Sequence, residues 1–149
     1  MEIRRAAPAD IPRLLALVRR YWDFEGIRGF AALRVELVLQ QLLEERSARG
    51  AAWVADSAGT LLGYLIVVLV MSVEHQGLTG EVDEFFVLPE ARSRGVGAQL
   101  LTAAEAALAE RGCTRLQLQL GTGNTRARAF YERRGYSARA GYELWDKPL

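Results

Sequence analysis

The chain has 149 residues, of which half are hydrophobic and a quarter charged, the ordinary composition of a globular domain. Its formal net charge of +1 excludes the strongly basic surface that is typical of nucleic-acid-binding domains. The longest apolar run, Leu61–Met71, is too short to span a bilayer, which excludes a membrane-spanning class. We therefore expect a single domain over residues 1–149.

The cysteine content and the amino-terminal sequence bear on the compartment. Cys113 is the only cysteine, so no internal disulfide can form, as is usual in a reducing compartment. No charged and hydrophobic leader with a small-residue cleavage site opens the chain. No grouping of His, Cys and Asp has the spacing of metal ligands. We expect a cytoplasmic protein that binds neither a metal, a membrane nor nucleic acid.

Helices and strands alternate in the predicted order of elements. The first half predicts a strand over 2–6, a helix over 10–22, a loop over 23–29, a helix over 31–46 and a hairpin with strands over 51–55 and 61–70. In the second of these helices, helical spacing is shown by Leu33, Leu37, Gln40 and Leu43.

The second half predicts a central strand over 81–88, a helix over 95–110, a strand over 114–120, a helix that opens at 124 and a strand over 142–147. In the third helix, an inward face is predicted by Val96, Leu100, Ala104 and Leu108. This order favours a mixed α/β fold, with a largely antiparallel sheet of six to seven strands and about four helices on both of its faces.

The most informative segment is Val87–Ala98, where an apolar strand stops at a proline and a turn with two arginines leads into the third helix. The first N–H groups of a helix lack intrahelical acceptors and carry partial positive charge, so they bind anions. Gly95 and Gly97 let an anion approach the backbone, and Arg92 and Arg94 can donate to phosphate oxygens. The segment predicts a pyrophosphate site, although an ordinary strand–turn–helix junction with solvated arginines has the same residue types.

Two motifs together carry a family resemblance. The pattern Arg92-x-x-Gly95-x-Gly97, preceded by Phe85–Pro89, resembles the acetyl-CoA signature of the GNAT acyltransferases. About 30 residues later, the run Asn124–Tyr136 resembles their second motif, Asn-x-x-Ala-x-x-aromatic-Tyr-x-x-x-Gly-aromatic. Two motifs in this order are far more specific than either one alone. Within this family, the motif residues most resemble those of the acetyltransferases of small amines, such as diamine acetyltransferases.

The resemblance implies acetyl-CoA as cosubstrate, with the pantetheine along the central strand and the pyrophosphate on the helix end. It also implies that Asn124 contacts the cofactor, although Asn is a good helix cap and we expect that role as well. The implied cofactor contacts are Phe85, Phe86, Val87, Arg92, Ser93, Arg94, Gly95, Val96, Gly97, Ala98, Asn124 and Tyr131.

The resemblance further implies that Tyr131 protonates the departing thiolate, whereas a core aromatic is the alternative interpretation. An alkylamine with a pKa of about 10 is only about one part in a thousand neutral at pH 7, so a base is needed. By family position the candidates are Asp83 and Glu84, which would act directly or through water. Strand alternation sends Glu81 and Asp83 to one face of the sheet and Glu84 to the other. Each of these acids could instead cap a backbone group or pair with an arginine.

We expect an acetyl-CoA-dependent N-acetyltransferase that acts on a primary amine, a small one being favoured, by direct attack in a ternary complex. Its partner would be a small-molecule acceptor, and a homodimer is compatible with the sequence. Gln119 stands where some relatives have a base and cannot accept a proton, which favours the alternative of a non-catalytic acyl-CoA-binding or regulatory module. A protein N-terminal or lysine acetyltransferase is a further alternative. Residues 22–25 fall where relatives bind the acceptor, but a solvated loop explains them equally well.

Overall fold

A computed structural model describes every residue from Met1 to Leu149. The chain divides into two compact units, Met1–Leu118 and Gln119–Leu149. The elements of the first unit are β1 (Glu2–Arg5), α1 (Ile11–Glu25), α2 (Ala32–Leu42), β2 (Gly50–Ser57), β3 (Thr60–Ser72), β4 (Gly77–Val87), α3 (Val96–Glu110) and β5 (Arg115–Leu118). The second unit contains one helix, α4 (Thr125–Glu132). That residues 1–149 form a single domain stays a prediction.

The five strands form one mixed sheet in the order β1-β2-β3-β4-β5. All neighbours are antiparallel except β4 and β5, which are parallel and are joined through α3. Such a parallel connection needs a crossover, which a helix supplies. The β2–β3 hairpin turns at Ala58 and Gly59, whose φ angles of 50° and 88° are both positive, as in a type I′ turn.

Helices cover both faces of this sheet. The side of α3 that the sequence predicts to face inward is buried, since Leu100 and Ala104 have no exposed surface. On the opposite face, α1 and α2 pack against the sheet, and Tyr21 of α1 meets Tyr64 of β3 edge-on, with 6.5 Å between ring centres. The core therefore lies in two layers, one on each side of the sheet. None of the helices combines the length and the apolar character needed to cross a membrane.

The predicted fold class is confirmed, but the sheet has five strands rather than six to seven. The strand predicted over 142–147 is absent, and all residues from Gly141 to Leu149 are exposed. Trp145, for example, is 85% exposed. A strand persists only where a neighbouring strand satisfies its backbone groups, and local residue preference cannot supply that neighbour.

The inward face of α2 also differs from the predicted spacing. Leu33 and Leu37 are 77% and 57% exposed, whereas Leu39 and Leu42 are buried. Apolar residues lie on more than one side of this helix, so spacing alone does not define which side packs inward. The helix also ends at Leu42, rather than at residue 46 as predicted.

A network of ion pairs fixes the amino-terminal edge of the sheet. Arg4 of β1 donates to both carboxylate oxygens of Asp10 at 2.8 Å and to Asp56 of β2 at 2.7 Å. Arg13 of α1 pairs with the same two aspartates. Asp10 is only 2% exposed and also accepts the backbone N–H of Ala7 at 2.9 Å. Hydrogen bonds from Arg4 hold the pKa of the Asp10 carboxyl well below its usual range.

Candidate functional site

β4 contains a bulge at Asp83. Ile66 of β3 pairs with Glu84, and the next residue, Val67, pairs with Val82, so Asp83 has no partner across the ladder. A bulge of this kind bends the strand and changes the direction of the side chains around it. Here it breaks the alternation of β4, because Val82 shares the α3 face with Val67 while Glu84 shares the α1–α2 face with Ile66.

The pairing of β4 with β5 ends at the same place. The last parallel partners are Val82 and Leu118, whereas β4 itself continues to Val87. From Asp83 onward β4 therefore has a neighbouring strand only on the β3 side. The sheet opens here, which is a geometry that an extended ligand can use.

Asp83 and Glu84 line one pocket of ≈ 210 Å³ on the α1–α2 side of the sheet. The alternation of a regular strand predicts opposite faces for these two residues, and that prediction is wrong because the bulge inserts one residue. Most of the other residues that line the pocket are apolar, namely Val18, Val35, Val38, Leu39, Leu42 and Ile66.

Both carboxylate oxygens of Glu84 are held by neutral donors. The indole N–H of Trp22 donates to Oε1, and the hydroxyl of Tyr64 donates to Oε2, each at 2.7 Å. Burial raises the pKa of Glu84, and the two donors partly offset this because they favour the charged form. Burial and the nearby Glu84 charge raise the pKa of Tyr64, so its phenol stays protonated and continues to donate.

Asp83 differs from Glu84 because its side chain makes no hydrogen bond and no ion pair. Solvent still reaches the carboxylate, yet the surrounding protein displaces enough water for burial to raise its pKa. Neither acid pairs with an arginine or caps the backbone, so the alternative interpretation for these two residues does not hold. Asp83 is thus a solvent-accessible carboxylate without a partner, beside a second carboxylate that is hydrogen-bonded.

The predicted loop over 23–29 is partly helical. α1 continues through Glu25 and ends at Gly26, which has a left-handed φ of 68°. Trp22 therefore belongs to the helix, which directs its indole to Glu84 in the pocket. Phe24, in the same turn, is 54% exposed.

The amino terminus of α3 is open to an anion. Its cap residue, Gly95, has φ 77°, which residues other than glycine rarely adopt. No side chain caps this end, and the first helical bond joins the Gln99 N–H to the Gly95 carbonyl at 3.0 Å. The N–H groups of Val96, Gly97 and Ala98 consequently have no acceptor within the helix. This donor set suits a phosphate group.

The two arginines of the turn before α3 differ in their contacts. Arg92 donates from Nε to the Val87 carbonyl at 2.9 Å, and its guanidinium lies 4.7 Å from the ring centre of Phe24 and 5.7 Å from that of Phe86. These contacts connect the turn to the end of β4. Arg94 is exposed and makes no ion pair, so its guanidinium is available to a ligand.

In the second unit, Asn124 caps α4 as predicted, with Oδ1 accepting the Ala127 N–H at 3.0 Å. Tyr131 is 9% exposed. Its ring packs edge-on against Phe130 and Tyr136, with centres 5.2 Å and 5.4 Å away. A buried phenol thus lies in the second motif.

The sequence patterns did not single out Arg34, which lines the pocket, or Tyr64, which holds Glu84 there. Tyr64 is the only aromatic residue in the apolar run 61–71, and that exception is a signal for a buried polar contact. Arg34 has no comparable signal, because a single arginine on an amphipathic helix is usually solvated.

Residues 13–136 match the sequence model of the Acetyltransferase (GNAT) family. The chain belongs to this family. This GNAT acetyltransferase is 34% identical over 135 residues to an uncharacterized N-acetyltransferase of Archaeoglobus fulgidus, a match that covers 88% of this chain and 89% of that protein. It is 27% identical over 140 residues to the aminoalkylphosphonate N-acetyltransferase of Salmonella typhimurium, which covers 91% and 84% of the two chains.

Among solved structures, the aminoglycoside N-acetyltransferase AAC(6')-Iy in complex with CoA shares the fold of this GNAT acetyltransferase. Its TM-score is 0.84 at 18% identity, with 99% of this chain and 95% of that chain covered. The comparisons confirm the family resemblance and the expected class of enzyme.

Proposed function

We propose that this acetyltransferase transfers the acetyl group of acetyl-CoA to the primary amine of a small molecule, by direct attack in a ternary complex. The observation that carries the proposal is the coincidence of three features at Asp83: the bulge, the end of the β4–β5 pairing and the carboxylates of the pocket. A thioester in the opening beside β4 would meet an amine held in that pocket. Relatives whose names specify an aminoalkylphosphonate or an aminoglycoside acceptor support the small-molecule class.

The donor would be held mainly by backbone groups. The pyrophosphate of acetyl-CoA would accept hydrogen bonds from the N–H groups over 96–98, and Arg94 would add a charged donor. The pantetheine would extend along Phe85, Phe86 and Val87, where β4 has no strand on the β5 side. The cofactor contact of Asn124 stays a prediction beside its capping role.

The acceptor would arrive as an ammonium ion, attracted by the two carboxylates. Asp83 can accept the first proton of the ammonium and release it to solvent, which gives the neutral amine that attack requires. As that nitrogen attacks the acetyl carbonyl, the C–N bond forms and the acidity of the nitrogen rises sharply, so Asp83 can also accept its second proton. Burial raises the pKa of Asp83, which favours acceptance of the proton by this carboxylate, while Trp22 and Tyr64 hold Glu84 in place. Collapse of the tetrahedral intermediate then breaks the C–S bond, and the thiolate takes a proton from Tyr131, which regains one from solvent.

The decisive experiment is a thiol-release assay with acetyl-CoA and a panel of diamines, aminoglycosides, amino acids and peptide amino termini. Calorimetry with CoA should accompany the assay, because it separates donor binding from turnover. Release that depends on a small amine supports the proposal. Binding of CoA without release from any amine would support the non-catalytic module, and release confined to peptides would indicate a protein acetyltransferase.

The role of Tyr131 is tested by Tyr131→Phe, which removes only the hydroxyl. We expect kcat to fall about 100-fold, the lower range for a lost general acid, while the Kd for CoA stays nearly unchanged. Tyr142→Phe is the matched control, since Tyr142 is 68% exposed. A large loss of CoA affinity in Tyr131→Phe would instead show that this tyrosine is structural.

A further inference from the structure

The pocket beside Asp83 also contains a side chain of opposite charge. Arg34 lies in the first turn of α2, is exposed and lines the same pocket. Arg34 and Asp83 pair neither with each other nor with any other side chain. In the amino-terminal network, by contrast, Arg4 and Asp10 meet at 2.8 Å. Two opposite charges that share a pocket without meeting leave room for a ligand that carries both.

The rest of the pocket restricts the body of that ligand. Its other walls are apolar apart from Trp22 and Glu84, which are hydrogen-bonded to each other. Val18, Val35 and Ile66 offer no hydrogen bond from their side chains, so hydroxyl-rich or strongly hydrated groups would lose water there without replacement. The lining thus favours an acceptor that carries an ammonium, an anionic group and an apolar body.

We propose that the acceptor is an amino-acid-like zwitterion with its primary amine at Asp83, an apolar body in the pocket and a carboxylate or phosphonate bound by Arg34. The inference rests on the proposed function and names the acceptor class for it. Arg34 is the residue that determines specificity, because a guanidinium can bind either anion with two parallel hydrogen bonds. The same positive charge repels the second ammonium of a diamine, so diamines are poor acceptors.

The test compares acceptors that differ only in their anionic group. Phenylalanine is paired with phenylalaninol, leucine with leucinol, and 2-aminoethylphosphonate with 2-aminoethanol; 1,4-diaminobutane is the dication. We expect the anionic member of a pair to have a kcat/KM at least tenfold higher than its neutral partner. The phosphonate pair tests recognition of a phosphonate, and the two amino acid pairs test recognition of a carboxylate.

Variants at Arg34 then assign the preference to this side chain. Arg34→Gln should raise KM for the zwitterions about tenfold, leave kcat within twofold and leave the neutral amines unchanged, the effect of one lost charge-assisted contact at an exposed site. Arg34→Glu should invert the order and favour 1,4-diaminobutane. Arg5→Gln is the control, since Arg5 is an exposed arginine on β1 at the far edge of the sheet.

Equal use of charged and neutral partners by the unmodified enzyme would overturn the zwitterion class and leave the acetyltransferase function in place. Equal effects of Arg34→Gln and Arg5→Gln would remove Arg34 from recognition. If no amine is acetylated, the proposed function fails, and thermal stabilisation by phenylalanine with CoA present decides the inference. Stabilisation of the unmodified enzyme but not of Arg34→Gln would then support it, and no stabilisation of either would refute it.

Discussion

Two pairs of carboxylates in this protein occupy opposite environments. Asp10 and Asp56 accept hydrogen bonds from arginines at the amino-terminal edge, and the pKa values of both are lowered. Asp83 and Glu84 lie in a mainly apolar pocket without an arginine bond, and burial raises both of their pKa values. A carboxylate therefore stabilises or destabilises the folded state according to whether a cation compensates its loss of water.

The difference extends to stability. A carboxylate whose folded-state pKa is lowered stabilises the native state at neutral pH, and one whose pKa is raised destabilises it there. The amino-terminal network thus stabilises the folded state at neutral pH, whereas the carboxylates of the pocket make an unfavourable contribution to its stability. Such a contribution is common where a site must bind or react rather than pack.

The largest effect should come from Asp10→Asn, which leaves Arg4 and Arg13 without one of their two partners. We expect the free energy of unfolding to fall by about 3 kcal/mol, the low end for a broken buried pair, since both arginines keep Asp56. Urea denaturation followed by tryptophan fluorescence measures the change. Asp146→Asn, at an exposed tail residue, is the control. A loss below about 1 kcal/mol would show that the network behaves like a surface pair.

Asp83→Asn tests the second pair of carboxylates, the one in the pocket. It should lower kcat/KM about 100-fold because the proton acceptor is lost, which corresponds to about 2.7 kcal/mol in the activation free energy. The folded state should not be destabilised, because the carboxylate makes no hydrogen bond and no ion pair and its burial is unfavourable. Asp146→Asn, at an exposed residue near the carboxyl terminus, serves as the control, with both readouts measured on it. If Asp83→Asn kept its activity within threefold of the unmodified enzyme, Asp83 would not be the base, and Glu84 would be the remaining candidate.

The smallest expected effect is the pH dependence of the stability of Asp10→Asn and Asp83→Asn. Relative to the unmodified protein, the change in stability should have opposite signs in the two variants. The folded-state pKa of Asp10 is lowered, so its stabilisation is present above the unfolded value of about 3.9 and is lost as the pH falls through the folded value. The pKa of Asp83 is raised, so stability is lost as the pH rises from about 3.9 through the folded value. Asp10→Asn should therefore be less stable than the unmodified protein at pH 7, and Asp83→Asn more stable.

Urea midpoints between pH 3 and pH 8 measure both profiles, and the two differences should shrink toward the acid end. A loss of stability in Asp83→Asn at pH 7 would contradict the unfavourable contribution assigned to the pocket. A constant deficit of Asp10→Asn down to the lowest pH would show that the carboxylate acts through packing rather than charge.

Local patterns were sufficient for features that depend on neighbours along the chain. The inward face of α3, the capping by Asn124 and the glycine at the start of α3 all follow from spacing and backbone preference. The two motifs were likewise sufficient for the family, because each is a contiguous segment.

Features that depend on distant partners could not be predicted in this way. The bulge at Asp83 arises from the pairing register of β3 with β4, and no residue type within β4 indicates it. Trp22 and Tyr64 meet Glu84 across 62 and 20 positions of sequence, so their roles appear only after folding. The prediction of a strand over 142–147 is wrong for the same reason, because a strand requires a partner strand elsewhere in the chain.

The extra residue in β4 has a consequence for variants at Asp83. Because Asp83 belongs to no cross-strand pair, its side chain can be exchanged without disturbing the rows of residues on either side of it. A change of activity in Asp83→Asn therefore reports on the chemistry of the carboxylate, since the sheet around it keeps its pairing. To alter the choice of acceptor, the codon to randomise is that of Arg34, which leaves this carboxylate in place.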